Sequence, residues 1–185
     1  MTMQDTAKVM AILQAAFPAW ARGMSDEDGA SVLNLWAMMF ADDPAQDVLA
    51  AVQALIATQV EGYPPTVGAV KAKMDALRNP NAMTEGEAWK RIYRAICNGI
   101  HGSVKEFNAL PESLQRIVGS PNQLRDWAVM DADTVNSVVA SNVMRAFRTC
   151  EAAARETRML PESLRTAIAG MKIGGELPPA RLYSL

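Results

Sequence analysis

The stretch DPAQDVLAAVQALIATQVEGYPPTVGAVKAKMDAL, residues 43–77, decides the fold class. Val48, Val52, Leu55 and Ile56 recur at steps of four, three and one, which gathers apolar side chains along one side of an α-helix. Asp43 stands in the capping position, and Pro44 falls at the first helical position, where its missing N–H is no loss. The segment Gly62-Tyr63-Pro64-Pro65 cannot continue the helix, because each proline removes a donor and clashes with the preceding turn. Thr66 then caps a second helix that turns Val67, Val70, Met74 and Leu77 inward. The spacing therefore predicts two amphipathic helices joined by a proline turn.

Upstream the same periodicity continues. Residues 5–17 place Val9, Met10, Leu13 and Phe17 on one side, and Pro18 stops the helix. Ser25 caps a further helix with Val32, Leu35, Trp36 and Met39 as its inward stripe. Four short helices within residues 1–78 make a small bundle. Asn79-Pro80-Asn81 breaks the pattern and marks a boundary, since turn-forming residues there leave little to bury.

Beyond it, Thr84 with Glu87 three residues later forms a capping box, followed by Trp89, Ile92, Tyr93 and Ile96. Asn98-Gly99 ends that helix. Ser103 with Glu106 repeats the box, and Ser120-Pro121 opens a helix with Leu124 and Trp127 inward. A long helix is expected over residues 134–159, with Val135, Val138, Val139, Met144 and Phe147 as its apolar face. The fold expected is all-α: an N-terminal bundle, a second helical unit over residues 83–172 containing one long helix, and a mobile tail over 173–185. The repeated Leu-Pro-Glu-Ser-Leu at 110–114 and 160–164 reads as two similar proline-initiated helix starts, because a true repeat would extend through each unit.

Half of the residues are apolar, enough for a real core, and the net charge of -2 marks neither a nucleic-acid nor a membrane binder. Residues 1–80 lean acidic and residues 81–185 slightly basic. Cys97 and Cys150 follow apolar residues at helical spacing and are expected as reduced, buried thiols. No secretory leader and no membrane-length apolar run is read, so a cytoplasmic protein is expected.

Catalytic chemistry lacks its residues. The single histidine, His101, sits at a predicted turn without partners for a metal or nucleophile site. No glycine-rich loop ends in Lys-Ser or Lys-Thr, and the Gly174-Gly175 pair lacks the rest of such a loop. The acidic groups Asp26-Glu27-Asp28, Asp42-Asp43 and Asp131 with Asp133 lie at helix starts, where the helix dipole stabilises negative charge. Neither catalytic, cofactor nor metal residues are assigned, and no cofactor is expected.

Candidate partner-binding residues remain. Met38 and Met39 are adjacent on one helix and cannot both face one core, so Met38 is a contact candidate. Arg145, Arg148, Arg155 and Arg158 fall within one broad helical face, and Glu151 between them pairs with Arg148 or Arg155. That face is either a solvated, ion-paired surface or a binding one. In the tail, Leu177, Leu182, Tyr183 and Leu185 either anchor in a partner's groove or dock on the protein's own bundle.

Ala7-Lys8-Val9 through Phe17-Pro18, Leu35-Trp36, Leu49 and Tyr63-Pro64-Pro65-Thr66 resemble the helicase loader and inhibitor proteins of bacteriophages. The runs MTEGEAW at 83–89, VGSPNQLRDWA at 118–128 and SVVASNVMRAF at 137–147 look like the longer members from phages of Gram-positive hosts. The resemblance spans roughly residues 5–170 and consists of helix caps and core positions. It implies an adaptor without ATPase activity that binds the hexameric replicative helicase, holds it inactive, and delivers it to an origin marked by a phage initiator protein. It implies no membrane partner, and direct nucleic-acid binding that is weak or absent. The alternative reading is a direct DNA-binding phage protein, a helix-turn-helix regulator or packaging subunit, supported by the basic second half and the glycine turn near 119–121.

Overall fold

The computed structural model describes residues 1–60 and 62–171, and among them every regular element is helical. The all-α expectation is borne out, including one long helix over residues 132–159. Two compact units form: Met1–Pro80 together with the described residues from Glu156 onward, and Asn81–Arg155.

The first unit contains α1 (Met3–Ala16), α2 (Pro18–Arg22), α3 (Asp26–Met39), α4 (Ala45–Thr58) and α5 (Val67–Arg78). Thr2 and Ser25 begin α1 and α3 with reciprocal capping boxes to Asp5 and Asp28, which satisfy amides that the helix leaves open. Val9, Met10, Leu13 and Phe17 pack with Trp36, Phe40, Val48, Val52, Val70 and Met74 into one core. Full burial of a valine or phenylalanine side chain contributes roughly 1.5–3 kcal/mol, so this cluster is what holds five short helices together.

Four sequence expectations fail in this unit. Leu35 is exposed and Leu33 packs instead, because Leu35 lies about 100° round the helix from Trp36. Leu77 is exposed in the last turn of α5, beyond Met74, the last core residue on that helix. Asp43 does not cap α4: Pro44 stands at the cap without a side-chain bond, and the Asp43 carboxylate is taken by Lys71 and Arg78. Nor does Asp42 serve α4, since it accepts from the backbone N–H of Glu162 at 2.8 Å.

The second unit contains α6 (Glu85–Cys97), α7 (Gly99–Ala109), α8 (Glu112–Val118), α9 (Pro121–Ala128) and the long helix as far as Arg155; that helix runs through Ala132–Thr134, Val135–Val139 and Ala140–Met159, and its residues from Glu156 onward group with the first unit. The Thr84–Glu87 box and the Ser120 cap form as expected. Ile92, Ile96, Leu114, Leu124, Trp127, Val135, Val139, Val143 and Phe147 make the core. Val135, Val139, Val143 and Phe147 are four apart, a spacing that drifts by about 40° per step on a 3.6-residue helix. The segment Val135–Val139 is π-helical, and its wider turn takes up part of that drift. Val138 is left outside and exposed, and Met144 is only half-buried.

Tyr93 is also exposed, its ring 5.5 Å from that of Trp89 on the outer flank of α6. The expected box at Ser103 does not start a helix. α7 begins at Gly99, kinks at Gly102, and Glu106 accepts from the Asn98 side chain. Cys97 and Cys150 are free thiols but exposed, since each lies off its helix's buried stripe.

Candidate functional site

One end of the first unit presents apolar surface around a break in the chain. Phe17 closes α1 and opens α2 with φ −123° and ψ 66°, and Pro18 occupies the first position of α2. Its fixed φ suits a helix start and its absent N–H could not have continued α1, so the chain makes an elbow. Nearby α4 ends at Thr58, and Gln59 leaves it in an extended conformation. The Gln59 side-chain amide donates to the carbonyl of Tyr63 at 2.7 Å and ties the connection before Pro64.

Between elbow and connection lies a groove of about 340 Å³, lined among others by Phe17, Pro18, Ile56 and Gln59 and, among the described residues, by no charged side chain. Val60 is fully exposed, and Tyr63 is 75% exposed. Large apolar side chains held out on a tied loop cannot be explained by burial within the unit, and an exposed aromatic residue beside a groove is a usual anchor of a protein interface. Leu35 and Met38, both exposed, add a second apolar patch on the outer face of α3.

A charged cluster occupies another part of the same unit. Lys71 donates to Asp43, Arg78 donates to Asp47 at 2.6 and 2.9 Å and to Asp43 at 3.3 Å, and Arg158 Nε donates to Asp75 at 3.1 Å. Burial works against the Arg78 cation, but Asp47 and Asp43 together outweigh it and raise its pKa. The Asp43, Asp47 and Asp75 carboxylates thus all have cationic partners. Among the described residues no group of three or more His, Cys, Asp or Glu is placed to hold a metal ion.

The residues singled out from sequence are distributed as follows. Met38 is exposed on α3 as expected of a contact residue. Arg148 makes a two-pronged bond to Glu85, at 2.7 and 2.8 Å, and Arg158 is tied to Asp75. Glu151 and Arg155 are not free either. Arg145 is exposed. Arg148 lies in the second unit and Arg158 groups with the first, so the four arginines do not belong to one unit. The tail over 173–185, with Leu177, Leu182, Tyr183 and Leu185, lies outside the described residues. His101 is exposed on α7, near the kink at Gly102.

Sequence reasoning missed the groove at Phe17 and Ile56 and its neighbours Val60 and Tyr63. The available signal was Val60 and Tyr63 themselves, two large apolar residues inside a segment that its prolines keep out of any helix. Among the described residues no helix is long and apolar enough to cross a membrane.

No curated protein and no solved structure matches the chain. Residues 1–71, which hold the elbow, the groove and the Tyr63-Pro64-Pro65 connection, match the family model for the N-terminal domain of a phage helicase loader and inhibitor.

Proposed function

We propose that this chain is a phage DNA-replication adaptor that binds the hexameric replicative helicase, holds it inactive, and delivers it to the origin with a phage initiator protein. The observation that carries the reading is the family match over residues 1–71. The groove flanked by Val60 and Tyr63, which falls within that span, is the docking surface proposed for the helicase. On this reading the chain is not an enzyme, needs no cofactor, works in the host cytoplasm, and acts by selective binding. A protein that binds one state of a ring more tightly than another shifts the ring toward that state by its difference in affinity and by no more. Release then requires a competitor, for which the initiator is the candidate.

The test mixes the purified chain with the host's hexameric helicase. Comigration in gel filtration and a changed helicase ATPase rate are expected, with the Val60→Ser, Tyr63→Ala double variant binding about tenfold more weakly, a loss in the range of one interface anchor. Absence of a complex at micromolar concentrations, or ATP turnover by the chain alone, overturns the proposal.

A second reading, direct DNA binding, rests on the turn between α8 and α9, where Gly119 adopts φ +85°. The exposed face of α9 mixes Arg125 with Asp126, which weakens it as a reader of phosphates. A DNA mobility shift that falls steeply with salt would favour this reading.

A further inference from the structure

Glu87, Lys90, Arg91 and Arg94 on α6 follow at steps of three, one and three, so at 100° per residue they share one face. In the second unit this face is a wall of a groove of about 510 Å³ whose apolar lining includes Leu110 and Pro111, and whose other acidic residue is Glu106. The two carboxylates are already occupied. Glu87 accepts from the Thr84 backbone N–H at 2.9 Å and from its hydroxyl, and Glu106 accepts from the Asn98 amide at 3.3 Å. The cations are less engaged: Lys90 and Arg91 stand near enough to Glu87 to help lower its pKa, but among the described residues the side chains of Lys90, Arg91 and Arg94 make no hydrogen bond or close ion pair, and all three are exposed. Positive charge in excess of its partners therefore stands beside an apolar floor.

We propose that this groove binds an acidic peptide segment of a partner protein, with apolar side chains against Leu110 and Pro111 and carboxylates on the Arg91 and Arg94 guanidinium groups. A guanidinium presents paired donors that match a carboxylate, which gives such contacts both strength and direction. The charge balance favours a peptide over a nucleic acid. Residues 81–155 carry nine Lys and Arg against eight Asp and Glu, too small an excess to hold a continuous phosphate chain. The two carboxylates in the groove would also repel closely spaced phosphates, whereas a peptide can place an apolar residue opposite each.

The full chain is titrated, with fluorescence anisotropy as the readout, into a labelled peptide of about eight residues alternating leucine and glutamate. A peptide alternating leucine and lysine and an oligothymidine of about 20 nucleotides carry the same label as comparisons. The expected result is binding of the glutamate peptide alone, weakened at least about tenfold in the Arg91→Gln, Arg94→Gln double variant, whose helicity is checked by circular dichroism. Three results overturn the proposal: no glutamate-peptide binding below about 1 mM, equal binding by the double variant, or tighter binding of oligothymidine lost through the same two substitutions. The last would identify the groove as a nucleic-acid site.

Discussion

Lys71 donates its ammonium to the carboxylate of Asp43, joining α5 to the turn before α4 across 28 residues of sequence. Both side chains are nearly buried, and the same ammonium lies 4.8 Å over the ring of Phe40, which is wholly buried. A charge kept out of water is tolerable only with its partner present, and removing one partner leaves the other stranded.

Replacing Lys71 by alanine is therefore expected to destabilise the first unit by about 2–4 kcal/mol, the lower part of the range because Arg78 still reaches Asp43. The Asp43→Asn, Lys71→Met pair should recover part of that loss, since no buried charge is then left without a counterion. Urea unfolding followed by circular dichroism checks both, with the midpoint moving and the slope unchanged.

Gly99 is expected to resist any side chain. A Cβ placed there would stand 3.0 Å from the backbone oxygen of Leu124 and 3.3 Å from Cβ of Ala128, so α7 and α9 approach at this point with no spare room. Because a backbone atom cannot swing aside, Gly99→Ala should cost about 1–3 kcal/mol. Gly29→Ala on α3, where nothing lies within 4 Å, is the matched control and should be neutral or stabilising by up to about 1 kcal/mol. Thermal melts of the two variants give opposite signs if this is right.

What could be read from the sequence differs by the kind of physics involved. Helix caps were legible: Ser25, Thr66, Thr84 and Ser120 all cap where the spacing places them, because a cap depends only on neighbours within three residues. The inward stripes were legible near their centres and failed at their edges, at Leu35, Leu77 and Val138, where only the packed partner decides whether a residue is covered. Asp43 looked like a cap because the cations that claim it, Lys71 and Arg78, are distant in sequence. The groove beside Phe17 combines an elbow with a loop some forty residues away, and no local pattern encodes that pairing. The cationic face of α6 was not read from the sequence, where that helix was followed only for its cap and its apolar stripe.

Acidification is expected to destabilise the protein through its caps. Asp5 and Asp28 have lowered pKa values, first through the hydroxyls of Thr2 and Ser25, and Glu87 through the backbone N–H of Thr84. A carboxyl whose folded value lies below its unfolded value contributes stability above the unfolded value, about 4, and loses it as pH falls through the folded one. The melting temperature should therefore hold between pH 7 and about 5 and fall below about pH 4. Glu87→Gln should flatten that fall, and an unchanged acid limb in this variant would remove Glu87 from the account.

We propose that residues 1–78 and 83–155 fold as separable units, with the described residues from Glu156 onward, expected from sequence to belong to the second unit, grouping with the first. Residues 79–82 are exposed and outside any helix, so brief digestion with a nonspecific protease should cut there first. Two resistant pieces on a denaturing gel are the expected outcome, and one resistant piece spanning that site would refute it.

The helix Glu162–Met171 is held differently from the longer helices of the first unit, and that sets the last expectation. None of its residues is buried, and Leu164, Ile168 and Met171 stay exposed at steps of four and three. Its ties to the first unit include the Asp42 carboxylate, which accepts from the Glu162 N–H, and the Asp75 carboxylate, which accepts from Arg158 just before it. A helix of ten residues is too short to persist alone in water, so its order should depend on those two carboxylates. In the Asp42→Ala, Asp75→Ala double variant, hydrogen exchange should speed up across residues 162–171 while Val143 and Phe147 keep their protection. Salt at about 0.5 M should act in the same direction on the unaltered protein, because exposed charge pairs are screened within a few ångströms at that strength. Equal exchange in the variant and the parent would mean that burial of Pro161, and not charge, holds the segment.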